Sequence, residues 1–300
     1  MVARILAAVD FSEHSTAALR AAFASARAEG ATLRVCHVMP AFRDVSVLFP
    51  QDHQEAMLRF VQAEEQALSA LSEHVNAVLG PEGDVEVMVR VGVHYEEIIA
   101  AAEAWQAELI VVGSGARHGF SGALLGSVAQ RVVRHASCPV LVHRETQGRS
   151  GVVAATDLSD ASMPAVSAGA KEARRRGQPL TIVHAIDLAT PALSIALGTP
   201  FGSTATLPSL EQQQLLRTLL HDSLTEAVRR SGAEGTARII DGAPARAILD
   251  FAEDTKADLI VVGTRGRTGF TRLTLGSVAE QVINDAKVSV LAVRLSETSA

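Results

Sequence analysis

Short apolar runs alternate with longer amphipathic segments throughout the chain. In the first half the apolar runs are RILAAVD, LRVCHVM, VEVMVRV, LIVVG and PVLVH. Runs that are apolar on both faces are typical of buried parallel strands, and segments with an apolar period of 3.6 residues predict helices that cover the sheet. The alternation therefore predicts an α/β fold with a doubly wound, five-stranded parallel sheet in each half.

Each half also contains one long predicted helix with an apolar face. The face in the first half consists of Met57, Phe60, Val61, Leu68, Leu71, Val75 and Val78. The face in the second half consists of Leu215, Leu216, Leu219, Leu220, Leu224 and Val228. Residues at this spacing share one side of a helix, so we expect both helices to pack against other elements.

The two halves are copies of one unit. ILAAVDFSEHST aligns with VVAATDLSDASM at an offset of 147 residues, which places Asp10 over Asp157 and His37 over His184. Later in each half the offset is 150, and 14 of the 24 residues at 109–132 are identical to those at 259–282. This duplication predicts two domains, residues 1–145 and 151–296, which meet near the polar stretch 143–151.

Composition and charge exclude several classes of function. Hydrophobic residues make up 48% of the 300 residues, and a net charge of −6 argues against binding to nucleic acid or to an anionic membrane. No apolar segment reaches the roughly 18 residues that a membrane span needs, and MVARILAAVD lacks the pattern of a signal peptide. We therefore expect a cytoplasmic protein in which Cys36 and Cys138 are buried, reduced thiols.

Residues with useful chemistry fall at the ends of predicted strands. Asp10 and Asp157 follow the first strand of each half, and a glycine-rich loop follows the fourth: GSGARHGFSGALLGS and GTRGRTGFTRLTLGS. Ligands of open parallel sheets bind beyond the carboxyl ends of the strands, so these features are expected to converge. Glycine amides, arginines and a serine such as Ser277, which is expected to cap the next helix, suit a di- or triphosphate. The alternative is a simple turn into a capped helix, with solvated arginines.

The same loops lack the residues of an efficient phosphoryl-transfer site. Neither contains GxxxxGK or any lysine, and no second acidic residue stands at a matched place to hold Mg²⁺. The ten histidines show no HxH or HExxH spacing. We therefore assign no catalytic residue and no metal ligand, and expect at most weak ATP hydrolysis or self-phosphorylation.

The segment VVGTRGRTGFTRLTLGSVAEQV, with ATDLSDAS and the HA near the end of the second strand, resembles the universal stress protein family. The resemblance covers the whole chain as a tandem of two such domains. It implies an adenine nucleotide alpha hydrolase-like fold with strand order 3-2-1-4-5, and ATP, with Mg²⁺ or Mn²⁺, as the ligand of a stress regulator or sensor. It also implies that the fifth strands pair the halves as an intrachain pseudo-dimer, and that the chain can form a homodimer.

The resemblance further implies which residues contact the nucleotide. The Asp after the first strand and the end of the second strand contact the adenosine, while the glycine-rich loop holds the ribose and phosphates. In the second half, which the resemblance favours, these residues are Asp157, Ala185, Gly263, Gly266, Arg267, Gly276 and Ser277. In the first half they are Asp10, Val38, Gly113, Arg117, Gly126 and Ser127.

The first half departs from the family's glycine spacing. Ala116 stands where the second half has Gly266, and Gly115 comes one position too early. If that position needs a positive φ, an alanine costs about 1 kcal/mol and weakens the site. An alternative function follows from this departure: an interaction scaffold in which at least the first half has lost its ligand and residues 188–208 dock a partner.

Overall fold

The computed structural model describes residues 3–41, 53–80, 85–115, 125–187, 209–232, 234–264 and 275–294. The chain divides into two compact units, Met1–Glu145 and Thr146–Ala300. Several residues of interest lie outside the described residues: Ala116, Arg117, His118, Arg265, Gly266, Arg267 and Arg272, and the segment 188–208.

Unit 1 contains five strands and four helices among its described residues. The strands are β1 (Arg4–Ala8), β2 (Thr32–Met39), β3 (Glu86–Val91), β4 (Leu109–Gly113) and β5 (Val140–His143). The helices are α1 (Glu13–Glu29), α2 (His53–Leu79), α3 (His94–Ala104) and α4 (Ser127–His135). Helices alternate with strands, as the apolar pattern predicts.

Unit 2 repeats this order of elements in its described residues. Its strands are β6 (Val152–Ala155), β7 (Leu180–Ile186), β8 (Thr236–Asp241), β9 (Leu259–Gly263) and β10 (Ser289–Val293). Its helices are α5 (Met163–Arg176), α6 (Leu210–Ser231), α7 (Pro244–Asp254) and α8 (Ser277–Asp285), and a 3₁₀ turn (Asp160–Ser162) leads into α5. The duplication seen in the sequence is therefore also a structural duplication.

The strand order confirms the predicted fold class. In unit 1 the order is β3-β2-β1-β4-β5, and in unit 2 the equivalent order is β8-β7-β6-β9-β10. All neighbouring pairs within each unit are parallel. The central strands carry side chains that are almost completely buried, such as Leu6, Ile110, Ile182 and Ile260. Helices on both faces explain why these strands show continuous rather than alternating hydrophobicity.

Two helix ends show how local sequence sets the boundaries of α1. The hydroxyl of Ser12 accepts a hydrogen bond from the backbone N–H of Ser15, so Ser12 caps the helix. At the other end Gly30 adopts φ +62°, the left-handed conformation that commonly ends helices. The second unit uses a capping box, in which Ser209 and Gln212 each bond the other's backbone N–H at the start of α6.

The apolar faces predicted for the two long helices are only partly buried. In α2, Leu71 and Val75 are buried, whereas Val61 and Leu68 are 44% and 42% exposed. In α6, Leu224 and Val228 are buried, whereas Leu215 and Leu219 are exposed. Among the described residues, these later positions are thus more deeply buried than the earlier ones, a difference that a periodic pattern cannot reveal.

The stretch predicted to join the domains is partly held by hydrogen bonds. His143, its first residue, belongs to β5. The Arg149 guanidinium bonds Glu253 at 2.7 Å, and the backbone N–H of Ser150 donates to the carbonyl of Lys256 at 2.9 Å. The last residues before β6 are thus fixed to the turn between α7 and β9.

Two further expectations concern the cysteines and membrane spans. Cys36 and Cys138 do not form a disulfide with each other, and Cys36 is buried as expected whereas Cys138 is half-buried. Among the described helices, none combines the length and the apolar character that crossing a membrane requires.

The end of β4 generates a test of packing. A Cβ at Gly113 would lie 2.7 Å from the backbone carbon of His14 and 2.8 Å from the nitrogen of Ser15. Because both neighbours are backbone atoms, Gly113→Ala should lower the free energy of unfolding of unit 1 by about 1–3 kcal/mol. Urea unfolding measures this change.

The matched control for this substitution is Gly276→Ala. A Cβ there meets its nearest atom, the carbonyl oxygen of Thr264, at 3.5 Å, an ordinary contact. The control should cost no more than about 0.5 kcal/mol, the preference of an N-cap for glycine over alanine. Equal costs for the two variants would contradict the close approach of α1 to β4.

Candidate functional site

A cleft opens at the carboxyl ends of the strands of unit 1. It has a volume of about 700 Å³, within the range of small-molecule sites. The walls come from the ends of β1, β2 and β4 and from the first residues of α3 and α4. Five of the six residues predicted for this half line it: Asp10, Val38, Gly113, Gly126 and Ser127. The sixth, Arg117, lies outside the described residues.

The glycine-rich loop is closed at its base by one backbone hydrogen bond. In unit 1 the N–H of Gly126 donates to the carbonyl of Ser114 at 2.8 Å, and in unit 2 the N–H of Gly276 donates to that of Thr264 at 2.9 Å. A Cβ at Gly126 would lie 3.1 Å from the carbonyl oxygen of Gly115. Glycine is therefore the residue that lets the two ends of the loop meet in unit 1.

The early glycine of unit 1, Gly115, is explained by its backbone conformation. Its φ is +61°, a left-handed conformation that glycine adopts without strain. The sequence comparison considered a positive φ at position 116, which lies outside the described residues. In unit 1, the residue just before that position has both the glycine and the positive φ.

The first turns of α4 and α8 present free backbone N–H groups. The N-cap residues are Gly126 and Gly276, and the first intrahelical bonds run to their carbonyls from Gln130 and Glu280. The prediction that Ser277 caps its helix is therefore wrong: Ser277 is the first helical residue, because the loop closure places glycine at the cap. Without a capping side chain, the N–H groups of residues 127–129 are available to an anion, which the helix dipole also favours.

The aspartate after β1 is held in a tight turn. One carboxylate oxygen of Asp10 accepts hydrogen bonds from the backbone N–H of Ser12 at 3.1 Å and from its hydroxyl at 2.6 Å. The Ser15 hydroxyl in turn accepts from the N–H of Asp10 at 3.2 Å. These bonds fix the carboxylate at the rim of the cleft.

Unit 2 builds the same turn with an additional hydroxyl pair. The backbone N–H of Ser159 donates to Asp157 at 3.0 Å, and its hydroxyl bonds the same oxygen. The hydroxyls of Thr156 and Ser162 lie 2.7 Å apart, and both are buried. Unit 1 cannot form this pair because it has Val9 where unit 2 has Thr156, and there the Ser15 hydroxyl accepts from the N–H of Asp10 instead.

The histidine of the second strand has the same partner in both units. Nδ1 of His37 lies 2.8 Å from the carbonyl oxygen of Val9, and Nδ1 of His184 lies 2.9 Å from that of Thr156. Because a carbonyl can only accept, Nδ1 carries the proton in both histidines. His37 lines the cleft, so it is a wall residue whose ring is fixed by the adjacent strand.

The remaining residues predicted for unit 2 lie at the equivalent edge of its sheet. Ala185 is in β7, Gly263 ends β9, and Gly276 and Ser277 begin α8. Since β6 pairs in parallel with both β7 and β9, their carboxyl ends meet beside Asp157. Gly266 and Arg267 lie outside the described residues.

The relationship to known proteins follows from both the sequence and the fold. The model of the universal stress protein family matches residues 1–144 and again residues 150–294. This chain belongs to the universal stress protein family. A member from Mycolicibacterium smegmatis is 32% identical over 304 residues, covering 97% of this chain and 96% of the relative.

Two further similarities are to a shorter relative and to a solved structure. A universal stress protein of Methanocaldococcus jannaschii is 33% identical over 150 residues, 48% of this chain and 81% of the relative. A solved universal stress protein from Archaeoglobus fulgidus has a TM-score of 0.67 and 22% identity, and the match covers 97% of this chain and 98% of that chain. The second likeness concerns the fold alone.

Two strained residues that follow the aspartates of this family member are not evident from its sequence motifs. Phe11 and Leu158 follow the two aspartates with φ values of +62° and +64°, which cost a non-glycine residue about 1 kcal/mol or more. Phe11 is 40% exposed, and its ring lies 4.7 Å from that of His37 and 5.4 Å from that of His74. The matched positions in the repeat are the signal that points to this strained residue.

The walls of the cleft also include residues from α3 that the family motif does not contain. His94 and Ile98, one turn apart, line the cleft together with Val128 of α4. Their contribution depends on how α3 packs, which no local pattern specifies. Among the described residues, no cluster of three or more His, Cys, Asp or Glu side chains is arranged to hold a metal ion.

The turn at Asp10 affects its ionisation. Partial burial raises the pKa of Asp10. Hydrogen bonds from Ser12 and Ser15 lower it by a larger amount, so the pKa lies below its ordinary value of 3.8. A depressed folded-state pKa contributes stability above the unfolded pKa, and this contribution is lost as pH falls through the folded value.

Asp10→Asn tests this linkage, since asparagine keeps the acceptor oxygen but not the charge. Wild type should be more stable than the variant at pH 5, by less than about 1 kcal/mol because the carboxylate is half exposed. The difference should shrink as pH falls from 4 toward 2, as followed by thermal unfolding at each pH. Asp254→Asn in α7 is the control, and a wild-type advantage that persists unchanged at pH 2 would contradict the assignment.

Proposed function

We propose that this universal stress protein binds ATP or a related adenine nucleotide in the cytoplasm and acts as a nucleotide-responsive regulator of a stress response. The observation that carries the proposal is the cleft of unit 1. It gathers Asp10, the end of β2, the base of the glycine-rich loop and the free N–H groups of α4 around about 700 Å³. Family membership supports the same reading.

The polar parts of the cleft suit the two ends of a nucleotide. The N–H groups of Ser127, Val128 and Ala129 can donate to phosphate oxygens, aided by the helix dipole. The Asp10 carboxylate, held by Ser12, can accept from ribose hydroxyls or adenine N–H groups. Val38 and Ile98 provide apolar wall that a base can cover.

We extend the proposal to the equivalent edge of unit 2. The hydrogen bond from Gly276 to Thr264 and the turn around Asp157 repeat the geometry of unit 1. One difference bears on affinity: the first turn of α8 contains Glu280, whereas α4 has no acidic residue in its first turn. A carboxylate near the amino end of a helix repels a bound anion. The three arginines in the sequence of the second loop attract one, and we propose that they keep unit 2 the favoured site.

We propose binding and signalling rather than efficient turnover. The described lining residues include neither lysine nor arginine, and the Asp10 oxygen that faces Ser12 is already hydrogen-bonded. No residue among them is placed to activate water beside a metal-bound phosphate. Mg²⁺ or Mn²⁺ would therefore arrive with the nucleotide, held mainly by its phosphates.

Calorimetric titration with ATP, ADP and AMP tests the proposal. Gly126→Val and Gly276→Val each place a branched side chain at the base of one loop, and each is the control for the other. Wild type should bind ATP in the presence of Mg²⁺. In each variant the affinity of the site in the mutated unit should fall at least about tenfold, since displaced hydrogen-bond donors cost about 1.4 kcal/mol or more of binding free energy. Absence of ATP binding by a folded wild type would favour the interaction scaffold.

We also propose that the two units associate through their fifth strands as an intrachain pseudo-dimer, which leaves homodimerisation as a further step. The proposal rests on the apolar sequences PVLVH and VSVLAVR, each at the end of its unit's strand order. Unpaired strand edges are avoided in native proteins.

Hydrogen exchange tests the pseudo-dimer. The amides of residues 140–143 and 289–293 that do not face β4 or β9 should be protected for hours if the fifth strands are paired, and should exchange within minutes if those edges are open. Light scattering alongside should give 31.5 kDa for the monomeric chain or twice that mass for a homodimer.

A further inference from the structure

The cleft of unit 1 contains a histidine that the family motif does not include. His94 is the first residue of α3, and it lines the cleft together with Ile98, which is 5% exposed. Residues four apart share a face of a helix, and helical side chains lean toward the amino end. Both facts direct His94 toward the same wall as the first turn of α4, whose Ser127 and Val128 also line the cleft.

The charges of the described lining residues give His94 a distinct role. Asp10 is the acidic residue among them, and no lysine or arginine is present. The groups that can become cationic are His37 and His94. Since His37 already donates its Nδ1 proton to the carbonyl of Val9, its ring is fixed against β1, whereas His94 is exposed at the rim.

Unit 2 has no equivalent group. Gly92 and Gly242 follow the third strand of each unit, and two residues later unit 1 has His94 where unit 2 has Pro244. Proline at the first position of a helix fits the fixed φ that this position requires. Histidine gives the backbone no such advantage. The imidazole of His94 is therefore a titratable group that unit 1 has at this position and unit 2 lacks.

We propose that His94 makes phosphate binding in unit 1 depend on pH, with the imidazolium form increasing the affinity of the α4 N-terminus for the anion. The inference rests on the proposed function and deepens it, since it adds a regulatory input to one of two otherwise similar sites. An imidazole changes charge between about pH 5 and 8. Unit 2, with Pro244, binds without this dependence.

The other charged groups near α3 are engaged elsewhere. The helix packs against β2, β3 and α4. On β3 the Arg90 guanidinium bonds Glu97 of α3 at 2.9 Å, so those two charges offset each other. Arg34 of β2 bonds Glu86 of β3 at 2.6 Å.

The charged residues of α4 contact Tyr95, the residue that follows His94. Arg131 lies over the Tyr95 ring at 5.1 Å, and the ring of His135 lies 5.7 Å from the same ring. The Tyr95 hydroxyl donates to Glu96 at 2.7 Å. Arg134, on the last turn of α4, is the remaining cation of that helix.

Two other titratable groups of the cleft, Asp10 and Cys36, keep their charge state across the relevant interval. Hydrogen bonds hold the pKa of Asp10 below 3.8 despite partial burial. Burial raises the pKa of the Cys36 thiol to about 12. Between pH 5.5 and 8.5 Asp10 is therefore ionised and Cys36 is neutral.

The experiment compares His94→Gln with its parent in the full-length Gly276→Val background, which isolates unit 1. ATP is titrated at pH 5.5, 6.5, 7.5 and 8.5, with and without Mg²⁺. Protonation of the terminal phosphate of ATP weakens binding at low pH in both proteins, so the ratio of their dissociation constants reports His94. We expect the parent to bind about three- to tenfold more tightly than His94→Gln at pH 5.5, as one partly exposed charge allows, and equally at pH 8.5.

Two further variants separate charge from structure. His94→Lys should bind tightly at every pH, because lysine stays cationic throughout the interval. His135→Gln, which alters the ring beside Tyr95 but not the cleft, should keep the pH profile of the parent. Rescue by lysine together with an unchanged His135→Gln profile would support an electrostatic role.

The outcomes distinguish this inference from the proposed function. If parent and His94→Gln bind ATP with parallel pH profiles, the inference about His94 is overturned while nucleotide binding stands. If the parent and the otherwise unmodified chain bind no ATP at any pH, the proposed function fails first. If His135→Gln alone removes the pH dependence, the sensing group lies on α4 and the assignment to His94 is wrong.

Discussion

The parallel pairing of β1 with strands on both its sides is the constraint on which the rest of each unit depends. In unit 1, β1 pairs with β2 on one side and β4 on the other, so the chain leaves the centre of the sheet first in one direction and later in the other. The connections that follow β1 and β4 therefore diverge, and a gap opens between them at the carboxyl edge. The cleft is this gap, floored by the ends of three strands.

Close packing at the gap then decides which residues can occupy it. The backbone of α1 approaches β4 so nearly that Gly113 has no room for a Cβ. The turn that carries Asp10 must also bend sharply enough to start α1, and the strained Phe11 provides that bend. The hydrogen-bonded turn at Asp10 and the glycine at the end of β4 both follow from the way the central strand β1 leads into α1.

The sequence predicts the architecture well because its evidence is repeated and extended over many residues. Apolar runs and the 147- to 150-residue duplication indicate two five-stranded domains, while the strand order came from the resemblance to a family. Features that depend on contacts between distant segments could not be predicted from the sequence. The need for glycine at 113 arises from residues nearly one hundred positions earlier, and Ser277 lost its predicted capping role to a loop closure involving Thr264. His94 joins the cleft only because α3 packs beside α4.

The hydrogen bond that joins Ser114 to Gly126, like its counterpart between Thr264 and Gly276, makes the start of the helix independent of the loop sequence before it. It fixes where each helix begins, whatever residues lie between the bonded ends. The intervening sequence can therefore diverge in charge and size without moving the backbone N–H groups of the first helical turn. The two loops of this chain, GARHGFSGALL and RGRTGFTRLTL, show such divergence already, and a duplicated gene can in this way retune one site while the scaffold of both is inherited unchanged.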